Sequence, residues 1–151
     1  MTQKRIVCLA VLSFLGTTAF SQNPVSWNYT QKKIGDKVYE VHLTATIEKG
    51  WHIYSQHQSK DAIALPTSVK FNSNPLVSLK GKVDEKGKLE KMRDEVMQIE
   101  NSQYENQVDF VQLVNLKANV KTNVSGEIEF MVCTNERCLP AKKINFSVAL
   151  N

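Results

Sequence analysis

Hydrophobic residues along this chain recur mostly at every second position. Tyr39, Val41, Leu43, Ala45 and Ile47 alternate with Glu40, His42, Thr44 and Thr46, the pattern of a strand with one buried and one wet face. Val25, Trp27 and Tyr29 repeat it upstream, and Ile34-Gly35-Asp36-Lys37 supplies the turn between them. Near the end, Ile128, Phe130 and Val132 alternate with Glu127, Glu129 and Met131, and Ile144, Phe146, Val148 and Leu150 with Lys143, Asn145, Ser147 and Ala149. Shorter candidate strands are Trp51–Tyr54, Ser68–Phe71, Val108–Leu113 and Ala118–Lys121. Seven or eight short strands separated by turns predict an all-β fold, an immunoglobulin-like antiparallel β-sandwich.

One stretch departs from the period of two. Leu89, Met92, Val96 and Ile99 follow helical spacing, and the residues around them are good helix formers. The expectation here is an irregular loop with a short helical turn around residues 84–95, followed by a strand.

The first twenty-odd residues change the setting. Lys4 and Arg5 precede an apolar run from Ile6 to Leu15, and Ala19-Phe20-Ser21 follows before Gln22. This order of charge, apolar run and small residues reads as a cleavable secretory signal over residues 1–21. The run is too short for a membrane span, which needs about 20 apolar residues. Residues 22–151 are then expected to form a single exported domain, most simply periplasmic and monomeric. Loss of Lys4 and Arg5 takes the basic count from 19 to 17 against 15 acids, so the net charge falls from +4 to +2. That balance argues against nucleic acid as a partner. No later segment is apolar enough to span a membrane.

Export also removes Cys8 and leaves Cys133 and Cys138 as a pair. In an oxidising compartment the pair is expected as a disulfide, either a staple or a redox centre. A bond closing so short a loop removes roughly 2 kcal/mol of unfolded-state entropy, against nearly 5 for a loop of about 100 residues. A staple is therefore poorly placed here. If Phe130 and Val132 face the core, alternation turns Cys133 outward, where a partner can reach it. Arg137 beside Cys138 favours a thiolate, the species that attacks disulfides, and Glu136 opposes it. The residues alone leave both readings open: a redox-active pair, or a structural bond in a non-catalytic binding or assembly module.

The pattern Gly50-Trp-His-Ile-Tyr54, then Leu65-Pro66, Asp84-Glu85 and finally Val-Cys-x4-Cys-Leu-Pro at Val132–Pro140 resembles the amino-terminal periplasmic domain of the DsbD thiol:disulfide interchange family. The resemblance spans nearly all of the chain beyond the signal. It implies an immunoglobulin-like domain with one reversible disulfide that passes electrons between thioredoxin-like oxidoreductases, with a membrane thiol reductase as a further candidate partner. It assigns Cys133 and Cys138 as the redox pair, Cys138 forming the mixed disulfide and Cys133 resolving it. His52 and Tyr54 align with an aromatic pair near the cysteines, so a histidine replaces one tyrosine. Asp84 and Glu85 align with an acidic cap loop, but Lys86-Gly87 follows where the family has aromatics. Arg137 completes the expected lining.

Other constellations carry less. Cys133, Cys138, His52 and His57 are zinc-ligand types, but nothing beyond type recommends a site. No serine sits in a nucleophile elbow, and neither a glycine-rich phosphate loop nor a haem-attachment motif occurs. Neither cofactor nor metal is expected. His42, on the polar side of its strand, reads as an ordinary exposed residue.

Overall fold

The structure, a computed structural model, describes residues 23–96 and 98–151; the expected signal at 1–21 lies outside the described residues. Among the described residues nine strands follow in order: β1 Val25–Gly35, β2 Val38–Ile47, β3 His52–Tyr54, β4 Ser68–Phe71, β5 Val77–Asp94, β6 Ile99–Leu116, β7 Thr122–Phe130, β8 Val132–Cys133 and β9 Lys142–Leu150. No helix occurs among the described residues.

The strands form two antiparallel sheets. One runs β1-β2-β6-β3-β8 with β5 on the other edge of β6, and the second runs β4-β7-β9. β6 organises the larger sheet. Along one side it pairs with β5; along the other it pairs first with β2, through Asn115–Gln107, and then with β3, through Glu105–Gln103. Asn106, with φ 62°, stands where the partner changes. A left-handed residue there kinks the strand, which lets two partners share one edge.

Between the sheets lies the core. Leu43, Ile53, Val108, Phe110, Ile128, Phe130 and Leu150 are all essentially inaccessible. Aromatic contacts join the layers: Trp27 of β1 packs on Phe130 of β7 at 5.2 Å between ring centroids, and Tyr29 on Phe146 of β9 at 5.9 Å. Each such ring removes on the order of 2–3 kcal/mol worth of apolar surface from water. The molecule is the immunoglobulin-like sandwich that its alternation predicts.

The structure corrects several local expectations. Residues 84–95 hold no helical turn and no open loop, only a register shift between Gly87 and Leu89. They lie mostly within β5, which forms a long hairpin with β6. Leu89 and Met92 remain 45 % and 46 % exposed, so their helical spacing buries no common face. Pairing with β6 outweighs the weak helix propensity of the segment. Gln98, in a left-handed conformation, closes the turn and donates to the Glu95 carbonyl at 2.7 Å, and Lys91 bonds Glu100 across the strands at 2.9 Å. Ala118–Lys121 is a loop, and β7 begins only at Thr122. The strand read through Val132 breaks at Met131, where the chain leaves the three-stranded sheet and enters the six-stranded one as β8.

Candidate functional site

The crossover at Met131 builds the site. β8 is only two residues long, and both are placed by β3: Val132 pairs with Ile53, and Cys133 with His52. Val132 and Ile53 join the core cluster, while Cys133 and His52 point to the other face of the sheet. The chain then turns. Thr134 donates its N–H to the Arg137 carbonyl at 2.8 Å, and its hydroxyl accepts from the N–H groups of Arg137 (3.1 Å) and Glu136 (3.2 Å). Leu139 returns to donate to the Val132 carbonyl at 2.9 Å. This tight hairpin sets Cys138 directly across from Cys133, and the two form a disulfide with Cα atoms 4.0 Å apart.

The two ends of the bond differ in access. Cys133 is completely buried, whereas Cys138 is exposed. Alternation predicts an outward, reachable Cys133, and the structure corrects this: the strand breaks at Met131, and Cys133, paired with His52 on one side and Cys138 on the other, is buried. The reachable cysteine is Cys138. Beside it, an open cleft is lined by Gly50 and the loop Thr134–Arg137. The Arg137 guanidinium sits over the Trp51 ring, 5.6 Å from its centroid. Trp51, which the sequence offers only within the Gly50–Tyr54 pattern, thus joins the lining of the site.

His52 and Tyr54 flank the buried end. They project from one face of β3, their rings 5.3 Å apart edge to face, and are 5 % and 9 % exposed. Burial lowers the His52 pKa below its ordinary value, so the imidazole is neutral at pH 7, and burial raises the Tyr54 phenol. Thr67 donates to the Tyr54 carbonyl at 2.5 Å and fixes the end of β3. Across β6, His52 faces Glu105 and Tyr54 faces Gln103.

Of the acidic pair, Glu85 lies away from the disulfide face, while Asp84, paired with Val111, takes the other side of the strand. Glu85 pairs with Phe110 of the core, so its side chain lies on the core side of the sheet, and Asp84 is exposed. Glu85 accepts hydrogen bonds from the Ser55 hydroxyl (2.6 Å), the Gln56 N–H (2.6 Å) and the Tyr104 hydroxyl (2.9 Å). Burial first, then the bond to Glu85, hold the Tyr104 phenol protonated far above its usual range. This carboxylate anchors the chain leaving β3. His42, read as merely exposed, is partly buried: its Nδ1 lies 2.7 Å from Asp109, its Nε2 lies 3.4 Å from Glu40, and Thr44 also donates to Asp109.

Comparison with known proteins gives a consistent picture. The family described as thiol:disulfide interchange protein DsbD, N-terminal, matches residues 27–150. No curated protein matches the chain in sequence. Among solved structures, the N-terminal periplasmic domain of ScsB from Proteus mirabilis is similar with a TM-score of 0.57 and 14% identity over 85% of this chain. The chain spans about half of that domain, 47% of its length. The reduced DsbD N-terminal domain of Neisseria meningitidis gives 0.52 and 14% identity, covering 82% of this chain and 85% of that one. The complex of the DsbD and PilB N-terminal domains from the same organism gives 0.54 and 13% identity, with 87% of each chain covered. At such identities the structural likeness concerns the fold.

Proposed function

Since this chain belongs to the family of DsbD amino-terminal domains, we propose that its Cys133–Cys138 disulfide is reversible and passes electrons between thioredoxin-fold partners. The observation that carries this reading is the unequal access of the two cysteines. A structural bond gains nothing from one exposed end, while an exchange centre needs one reachable sulfur and one protected thiol.

In the oxidised form, a donor's thiolate attacks Cys138 Sγ. A mixed disulfide forms, the bond to Cys133 breaks, and Cys133 leaves as a thiolate that takes a proton. The donor's second thiolate then releases Cys138, leaving the domain as a dithiol and the donor as a disulfide. In the other half-cycle, the Cys138 thiolate attacks an acceptor disulfide, and Cys133 displaces the acceptor's sulfur to restore the internal bond. Two electrons move in each half-cycle, and no bound cofactor takes part. Arg137, adjacent in sequence, favours the Cys138 thiolate while Glu136 opposes it, and the cleft beside Gly50 is the docking surface for the partner. That a Neisseria DsbD N-terminal domain forms a complex with a PilB N-terminal domain supports a protein rather than a small thiol as partner. In the cell, a signal over residues 1–21 sends residues 22–151 to the periplasm, where a membrane thiol reductase is a further candidate donor.

Replacing Cys133 by Ala tests the assignment. The variant is expected to accumulate a covalent adduct at Cys138 with thioredoxin-fold proteins of its host, seen on non-reducing gels and by mass spectrometry. No adduct, together with a reduction potential well below about −300 mV for the native pair, would mark the bond as structural.

A further inference from the structure

The exchange chemistry demands that a buried sulfur gain and lose a proton. Cys133 is released as a thiolate in one half-cycle and must become one again in the other, yet it is fully shielded from water. Its cross-strand neighbours are two: Cys138 on one side and His52 on the other. The row continues through Glu105 of β6, which is half-buried. From the exposed edge inward, one face of the sheet thus carries Cys138, Cys133, His52 and Glu105 side by side. Side chains so paired across antiparallel strands have Cβ atoms about 4.5–5.5 Å apart.

Resting on the exchange reading above, we propose that His52 is the proton acceptor and donor for Cys133. When Cys133 attacks the mixed disulfide, its S–H proton passes to the neutral imidazole. The new bond to Cys138 forms as the partner's thiolate leaves, and the imidazolium returns its proton to solvent or to that thiolate. In the opposite direction the neutral imidazole first takes a proton, from solvent or from the donor's attacking thiol as that thiol becomes a thiolate, and the imidazolium so formed passes it to the Cys133 thiolate as the internal bond opens. His52 suits the task because it is buried beside the thiol and because its desolvation keeps it in the basic form at neutral pH.

Other groups around the imidazole are differently placed. Tyr54 contacts its edge from the same strand, and burial raises that phenol. From β6, Glu105 faces it, with Lys88 of β5 within electrostatic reach of Glu105 and bonded to Glu90 at 2.9 Å. On the loop beyond β8, Glu136 and Arg137 are exposed, the latter lying over Trp51. None of them shares a cross-strand pair with Cys133.

The test separates the two steps of exchange. Reduced protein is mixed with oxidised glutathione, quenched with acid at intervals, and the mixed disulfide and its closure are followed by mass spectrometry between pH 5.5 and 9. For His52→Gln, formation of the mixed disulfide should match the native rate. Closure should slow by about 100-fold near pH 6.5, in the range of general-base effects. It should then rise about tenfold per pH unit until it meets the native curve near the ordinary thiol range. Native closure should instead stay nearly level down to the His52 titration. Equal closure rates and parallel pH profiles in the two proteins would overturn the role of His52 while leaving exchange intact. A native protein that never closes the internal bond would overturn both readings. Should His52→Gln fail to fold, the His52 ring is followed by NMR in the native protein. Its titration midpoint should shift when the pair is reduced, and an identical midpoint in both states would refute the proposal.

Discussion

Burial decides the charge of His52, and with it a pH dependence of stability. Its folded pKa lies below the unfolded value of about 6.5. The unfolded chain therefore binds more protons between the two values, and stability rises with pH through that window. The contribution is fully present above about pH 6.5 and is lost as the pH falls through the folded value. Urea midpoints at pH 7.5 and 5 should consequently lie further apart in the native protein than in His52→Phe. Glu85 poses a different test at the same level. Three donors converge on its carboxylate, and Glu85→Gln turns one acceptor into a donor facing a donor. Chemical denaturation should register a loss of about 1–3 kcal/mol. The capacity of Cys138 for exchange should remain, because Glu85 lies on the opposite face of the sheet. The sequence could show that Asp84-Glu85 was an acidic pair; it could not show which side of a strand each occupied, since the register of β5 on β6 shifts twice along their length.

Pairing, rather than propensity, shaped the elements. β2 and β9 were legible because one face of each meets the core and the other meets water. The segment Gly87–Asn101 was not, because Leu89, Met92 and Val96 stay exposed at the hairpin and bury no common face. Alternation carries no signal where burial is weak. Close approach matters too. A Cβ at Gly126 of β7 would lie 2.1 Å from the Lys70 carbonyl of β4 and 2.6 Å from the Phe146 ring of β9. Gly126→Ala should cost about 3 kcal/mol or more, read as a fall in Tm, because backbone on one side and a packed ring on the other leave little room to yield. Gly50→Ala meets no neighbour and strains only a positive φ of 84°, so it should cost about 1–2 kcal/mol.

For the molecule as a whole, the disulfide contributes little to holding the sandwich together. It closes a loop of sequence separation 5 at one end of one sheet, while the core lies between the sheets and includes neither cysteine. Reduction should therefore leave the protein folded. Loss of about 2 kcal/mol corresponds to a fall in Tm on the order of 5–10 °C for a domain of this size, measurable by thermal denaturation with and without a reductant. Collapse of the fold on reduction would contradict a reversible redox role, because an exchange domain must keep its docking surface in both states.

Two things followed from the order of residues alone: an all-β sandwich, since alternation records which side of each strand meets water, and a pair of cysteines close enough along the chain to bond each other. Neither property depends on which strand lies beside which. The unequal exposure of Cys133 and Cys138 does, as does the row that sets His52 against the buried sulfur. Both arise because the chain crosses between sheets at Met131 and enrols two residues as a new strand against β3. That pairing is a long-range event, stabilised by backbone hydrogen bonds and by Val132 and Ile53 entering the core together, and no local pattern of side chains encodes it.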